Sequence, residues 1–257
     1  MLLVLSPAKS LDESPLTRTV AATPPAFMAQ AAELIAVLRE QSPQDIASLM
    51  SLSDKLAGLN VARYQAWKRK TPAGTKPAML TFNGDVYDGF DAATLDDAGL
   101  AWAQDHVCIL SGLYGVLRPL DALQPYRLEM GTKLVNPRGQ NLYAFWGSEI
   151  TDYLNRRLTE SETPVLVNLA SEEYFKSVQA RALQGRLVHC AFEDFKGGKY
   201  KVISFFAKRA RGLMARWIVD QRIQNPEDLV KFNVRGYAWD AAASAPDRLV
   251  FRRRLAD

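Results

Sequence analysis

The sequence predicts a mixed α/β (α+β) protein. We expect a single compact domain over residues 1–257, with a central, mostly buried sheet, surrounding helices and a helix-hairpin-helix-like element at about residues 43–69. Three observations lead there. Several short apolar runs lack polar alternation, as strands covered on both faces do. Stretches with helical apolar spacing separate them. The chain has 257 residues, 48% of them hydrophobic and 23% charged, enough for one ordinary core without disulfide or metal support.

Leu2–Leu5 is the first expected strand, followed by Ala78–Phe82, Val107–Leu110, Val165–Asn168, Leu187–Phe192, Lys201–Phe205 and Leu249–Arg252. Helices are expected at Pro25–Arg39, Pro43–Met50, Asp54–Arg69, Ala93–Gln104, Leu142–Leu158 and Phe206–Arg222. Pro25 and Pro43 suit first-turn positions, and Ser42 and Ser53 suit N-caps. The turn-rich stretch Lys70–Pro77 separates expected elements of one domain, and no internal repeat is present. Cys108 and Cys190 are the only cysteines, which fits a reducing compartment. With no leader-like start and no bilayer-length apolar run, the expectation is a cytoplasmic protein without membrane contact.

Net charge is only +4, but it is unevenly spread. Between Lys196 and Trp217 lie seven cations and no acid. Phe206, Ala210, Leu213, Met214 and Trp217 form one apolar helix face there. Lys208, Arg211 and Arg222 flank it on one side, Arg209 and Arg216 on the other. Such cations contact phosphates or solvate a surface.

Residues 45–63 read as helix, tight turn, helix. The stretch Leu49-Met-Ser-Leu-Ser-Asp-Lys-Leu-Ala57 resembles the helix-hairpin-helix motif of nucleic-acid-binding proteins. Backbone N–H groups at such a turn favour an anion. The motif's two glycines are replaced by Ser51 and Ser53, whose hydroxyls either bind phosphate or cap the next helix. Lys55 would sit beside the phosphate, with Arg63 and Lys68 further along.

Charges embedded in apolar sequence mark a second region. Leu110 to Gly131 passes through Gly112, Gly115, Pro119 and Pro125, and carries Arg118, Asp121, Arg127 and Glu129. Buried ions must be paired or bound. Structural ion pairs and a ligand crevice at a strand end both satisfy this. Ser6-Pro-Ala-Lys9 follows the first strand, Asp85 an Asn-Gly turn, and Lys176 the sequence Asn168-Leu-Ala-Ser-Glu-Glu-Tyr-Phe. Were these strand ends to share one sheet edge, Ser6, Lys9, Asp85, Arg118, Arg127, Glu129 and Lys176 would form a cationic pocket suited to a nucleotide-like ligand. Ser6 and Lys9 have the Ser-x-x-Lys spacing of serine acyl-enzymes, but the companion motifs are missing. Neither a P-loop nor a dinucleotide-binding glycine pattern is present. His106, Cys108, His189 and Cys190 are the only imidazole and thiol groups, and the cysteines lie in expected strands as core residues. We therefore assign no metal site and no cofactor.

Taken in register along nearly the whole chain, these motifs resemble the YaaA family of bacterial peroxide-stress proteins. The residues that carry it are Ser6-Pro-Ala-Lys9, Ser53-Asp-Lys-Leu-Ala-Gly58, Gly84-Asp-Val-Tyr87, Leu110 to Asp121, Pro125 to Gly131, Asn168 to Lys176 and Ala207-Lys-Arg-Ala-Arg-Gly-Leu-Met214. The resemblance implies hydrogen peroxide resistance, limitation of free intracellular iron, DNA binding, a positively charged cleft and a helix-hairpin-helix element. It supplies no catalytic residue. The leading expectation is a protein that binds double-stranded or structured DNA through Ser51, Ser53, Lys55, Arg63, Lys208, Arg209 and Arg211, with no protein partner implied. One alternative is an enzyme acting on a nucleotide, nucleoside or nucleic-acid base. Another is iron sequestration through the two histidines and two cysteines.

Overall fold

The computed structural model describes residues 1–254; the last three residues of the expected domain lie outside it. The first half contains β1 (Leu2–Leu5), β2 (Ser10–Leu11), α1 (Met28–Arg39), α2 (Pro43–Met50), α3 (Asp54–Ala66), α4 (Ala78–Thr81), β3 (Phe82–Asn83), α5 (Asp85–Phe90) and α6 (Asp97–His106). Then follow β4 (Val107–Ser111), β5 (Gly115–Leu117), α7 (Leu142–Trp146), α8 (Glu149–Thr159), β6 (Val165–Asn168), α9 (Glu172–Phe175), β7 (Arg186–Lys196), β8 (Lys199–Lys201), α10 (Ser204–Gln221), β9 (Ala238–Trp239) and β10 (Arg248–Arg253).

One mixed sheet organises the domain, in the order β5-β4-β1-β6-β7-β10-β9, with β8 hairpinned onto β7. The strands β4, β1, β6, β7 and β10 run parallel, and β5, β8 and β9 pair antiparallel. Every residue of β1, β4 and β6 is buried, which explains their unbroken apolar sequence. The longer β7 instead alternates between more and less covered residues along its length. The β7–β8 turn uses Gly197 and Gly198, both at positive φ, the backbone a two-residue hairpin requires.

Several expectations need correction. The run at 78–82 is not a strand of the main sheet, and only Phe82 is strand at all, in the short β2–β3 pair. The rest forms the turn of helix α4, whose first N–H groups bond the Asp121 and Pro119 carbonyls at 2.8 and 2.9 Å. A run that short carries no period to separate helix from strand. The expected strand 201–205 ends at Lys201, and Ser204 already begins α10. The expected helix 142–158 is broken at Gly147, whose φ of +49° no helix continues. The helix expected from residue 93 starts instead at Asp97, because the Asp96 carboxylate caps it by accepting the Gly99 N–H at 2.7 Å.

Helices α5 and α10 lie against each other through paired glycines. A Cβ on Gly212 would drive into the Val86 carbonyl, and one on Gly89 into the Arg209 carbonyl. This close approach fixes α10, and with it Lys208, Arg209 and Arg211, against the start of α5.

Candidate functional site

Strand β1 lies between β4 and β6. The chain leaves β1 towards β4 but leaves β6 towards β7. Loops that part in opposite directions open a crevice at the carboxyl ends of the strands. Its two lips touch: the Ser6 hydroxyl accepts the Ser171 N–H at 2.9 Å and donates to the Ser171 oxygen at 3.2 Å. Ser171 also caps α9 by accepting the Tyr174 N–H at 3.5 Å. The Tyr87 hydroxyl donates to the Ser6 carbonyl at 3.1 Å, bringing the start of α5 to the same place.

Glu129 anchors the next side of the crevice. It pairs with Arg127 Nε at 3.1 Å and Lys9 Nζ at 3.3 Å, and its side chain is only 14% exposed. The Tyr64 hydroxyl of α3 donates to the Arg127 carbonyl, tying the hairpin helix to this point. Beneath lie further buried phenols. Tyr126 shares a 2.6 Å hydrogen bond with Ser111, and Tyr174 is covered nearby. Burial pushes the Tyr64, Tyr87, Tyr126 and Tyr174 hydroxyls upward, and the nearby Glu129 charge adds to this for all but Tyr87. These phenols are neutral hydrogen-bonding groups. The void between Lys9, Tyr126, Glu129 and Tyr174 is only about 10 Å³, so the floor is filled and a ligand would rest on it.

Arg211 of α10 approaches from the other side. It is half-buried, and burial lowers its pKa while the Glu172 charge partly offsets that shift. Among the described residues it has no ion-pair or hydrogen-bond partner. Asp85, first residue of α5, is likewise half-buried and unpartnered among them.

The structure thus brings together Ser6, Lys9, Arg127 and Glu129, with Asp85 and Arg211 beside them. Arg118 does not join them. It leaves β5, which runs antiparallel to β4, and emerges at the opposite end of the sheet beside Asp105, Tyr153 and Arg157. There its N–H donates to Asp121 at 2.8 Å and its guanidinium lies 3.5 Å from that carboxylate. Lys176 is exposed and lies 5.1 Å over the Tyr143 ring, outside these contacts. Sequence reasoning overlooked the phenols, although Tyr87, Tyr126 and Tyr174 each stand within a few residues of a chosen charge.

The helix–turn–helix at residues 43–66 is present. Ser51 ends α2 in the left-handed region at φ +52°, and Ser53 caps α3 by accepting the Leu56 N–H at 3.5 Å. Both serines and Lys55 are exposed. Arg63 is turned inward onto Glu13 at 2.5 Å with a side chain only 15% exposed, so it is not free for an outside anion. Lys208 and Arg209 are exposed on α10. Arg216 is engaged by Asp220 at 2.8 Å and by the Asp91 carbonyl at 2.7 Å.

The expected iron ligands do not meet. His106 ends α6 just before β4, which holds Cys108; His189 and Cys190 lie on β7, and β1 and β6 stand between β4 and β7. At about 4.8 Å per strand that is some 14 Å. Burial pushes the Cys108 thiol up to about 11 and the Cys190 thiol up to about 12, the opposite of a ligand thiolate. Among the described residues no group of three or more His, Cys, Asp or Glu is placed to hold a metal, and no helix is long and apolar enough to cross a membrane.

Comparison with known proteins adds a wider frame. A family profile described as "Peroxide stress protein YaaA" matches residues 1–243. A "UPF0246 protein" of Albidiferax ferrireducens is 62% identical over 255 residues, covering 99% of this chain and 98% of that protein. One from Polaromonas naphthalenivorans is 63% identical over 254 residues, 98% of each chain. Another, from Tolumonas auensis, is 62% identical over 255 residues, again 98% of each.

Proposed function

The chain belongs to the peroxide stress protein YaaA family, and from that membership we propose that it is a DNA-binding protein of the cellular response to hydrogen peroxide. Double-stranded or structured DNA lies across the crevice, held by its sugar–phosphate backbone. The observation that carries this reading is the distribution of unpaired cations. Arg18, Arg63, Arg138, Arg186, Arg216 and Arg252 are each tied to a carboxylate. Lys55 on the hairpin, Lys208 and Arg209 on α10, and Arg211 at the crevice have no carboxylate partner among the described residues. The two helices that bear them are joined across the crevice. Tyr64 of α3 bonds Arg127, Arg127 pairs with Glu129 and Glu129 with Lys9; Ser6 then bonds Ser171, next to the Glu172 that faces Arg211. Free cations flanking one trough suit phosphates that no sequence reading would select.

Binding protects DNA by shielding it, or accompanies a lowering of the iron that feeds hydroxyl-radical chemistry. Direct chelation by the two histidines and two cysteines is set aside, since they lie on separated strands. The test is fluorescence anisotropy of a labelled duplex against salt. Affinity should fall with a log–log slope of about −0.9 per phosphate neutralised. A flat response would remove the proposal.

A second reading is favoured by Arg211 and Asp85 specifically. A half-buried, unpartnered guanidinium and a half-buried, unpartnered carboxylate on one crevice are more than phosphate tracking requires. It suits an enzyme acting on a nucleotide, nucleoside or base seated on the phenol floor. Asp85→Asn separates the two readings: turnover on such a substrate would be lost while duplex affinity held. A wild-type protein that turns over none of these classes would sink the second reading.

A further inference from the structure

We propose that the cavity between α3 and the segment 12–20 is a binding site for a small, uncharged, apolar molecule. Its volume is about 960 Å³, and none of Ser6, Lys9, Arg127 and Glu129 lines it. That volume is at the upper end of the range of small-molecule pockets. Its walls are apolar where α3 shows its outer face (Leu59, Ala62, Ala66), at the buried Trp67 that follows the helix, and where the chain passes opposite (Leu16, Val20, Leu123). Leu59 is 44% exposed, an unusual place for leucine on a helix that has Ala57, Asn60 and Tyr64 for its buried side.

The polar groups of the rim decide the chemical class. Each charged side chain there is already neutralised within the protein. Lys76 pairs with Asp12 at 3.0 Å, Arg63 with Glu13 at 2.5 Å, and Arg18 with Asp97 at 2.9 Å. Both ends of the Gln124 amide are used by the Lys68 backbone, at 2.8 and 2.7 Å. The Thr75 and Thr81 hydroxyls donate to the Pro72 and Pro77 carbonyls at 2.7 and 2.8 Å. A charged ligand would enter an apolar space with no free counter-ion, and its desolvation would go uncompensated. An apolar body gains by every carbon it buries. One buried polar atom of the wall stays unpartnered, the Nε of Arg63. A carbonyl-type acceptor on the ligand would satisfy it after a small turn of the guanidinium, so one such acceptor is tolerated where a charge is not.

The proposal is independent of DNA binding and is tested without it. The probe is prodan, an uncharged naphthalene ketone, titrated into the full-length protein while its emission is followed. We expect single-site saturation with a blue shift. Ala62→Trp fills the cavity and should weaken binding about tenfold or more. Leu59→Gln sits on the exposed wall, cannot unfold the core, and should weaken it about threefold. Anilinonaphthalene sulfonate, with the same ring system and a negative charge, should bind at least about fivefold more weakly than prodan. Unsaturable prodan emission, binding unaffected by both substitutions, or equal affinity for the sulfonate would each overturn the proposal.

Discussion

The Ser6 hydroxyl accepts the backbone N–H of Ser171 at 2.9 Å across 165 residues of sequence. The Ser6 side chain therefore joins the loops leaving β1 and β6, the two strands whose divergence makes the crevice. Ser6→Ala leaves a partly buried N–H without an acceptor, which costs about 1–3 kcal/mol. For a domain of this size that is a fall in melting temperature of roughly 2–6 °C. A calorimetric scan showing no change would mean that the loops are held by other contacts.

Two glycines in helices should respond oppositely to alanine. At Gly212 the added methyl meets the Val86 carbonyl, and α5 and α10 must separate. We expect a loss of about 3 kcal/mol or more, or a protein that does not accumulate. At Gly58, inside α3, nothing lies within 4 Å of the added methyl. There alanine should stabilise by about 0.5–1 kcal/mol, since glycine's extra backbone freedom is lost on folding. Urea midpoints of the two variants check both signs.

Acidification should destabilise the protein through its histidines. Burial holds both His106 and His189 below the ordinary imidazole value of 6.5. The unfolded chain therefore binds more protons than the folded one in the window just below that pH. Their contribution to stability is present above about pH 6.5 and is lost as pH falls through that value towards the lowered ones. At His189 the geometry agrees. The Asn168 amide donates to its Nδ1 at 3.1 Å, and the same amide's oxygen accepts the Ala170 N–H at 2.9 Å, so the donor end faces the ring. Protonating Nδ1 would break that bond. Denaturant midpoints at about pH 7.5 and about pH 5.5 should differ less in His189→Asn than in the parent protein; an unchanged difference would assign the pH dependence elsewhere.

Charge reversal on α10 tests the nucleic-acid reading. Lys208→Glu with Arg209→Glu removes two exposed cations that have no structural partner among the described residues. Duplex affinity should fall at least about tenfold, and the salt slope should shrink by about 1.8, with melting temperature unchanged. Arg216→Glu is the contrast: it breaks the Asp220 pair and the bond to the Asp91 carbonyl, so it should lower stability as well. If both variants behave alike in binding and in melting, the cations of α10 are structural.

The sequence by itself determined the fold class, the family, and the elements whose apolar runs are covered on both sides: β1 and β6 were legible residue for residue, and β4 to within one residue. It also located the serine-flanked hairpin and the charges of the crevice, because an ion amid apolar residues must have a use. Tertiary structure decided which of those charges meet. Arg118 and Glu129 stand eleven residues apart in one stretch, yet the antiparallel turn of β5 sends Arg118 to the far end of the sheet. His106 and His189 each stand within two residues of a cysteine in sequence, yet two intervening strands keep them apart. Arg63 looked like a phosphate ligand until Glu13, fifty residues earlier, was seen to hold it. The cavity behind α3 had no sequence signature, since it arises where the segment 12–20 crosses a helix face that amphipathic spacing alone would expose. Local pattern records which side of an element prefers water; which distant groups share that side depends on strand order and crossing, and those are set by packing of the whole chain.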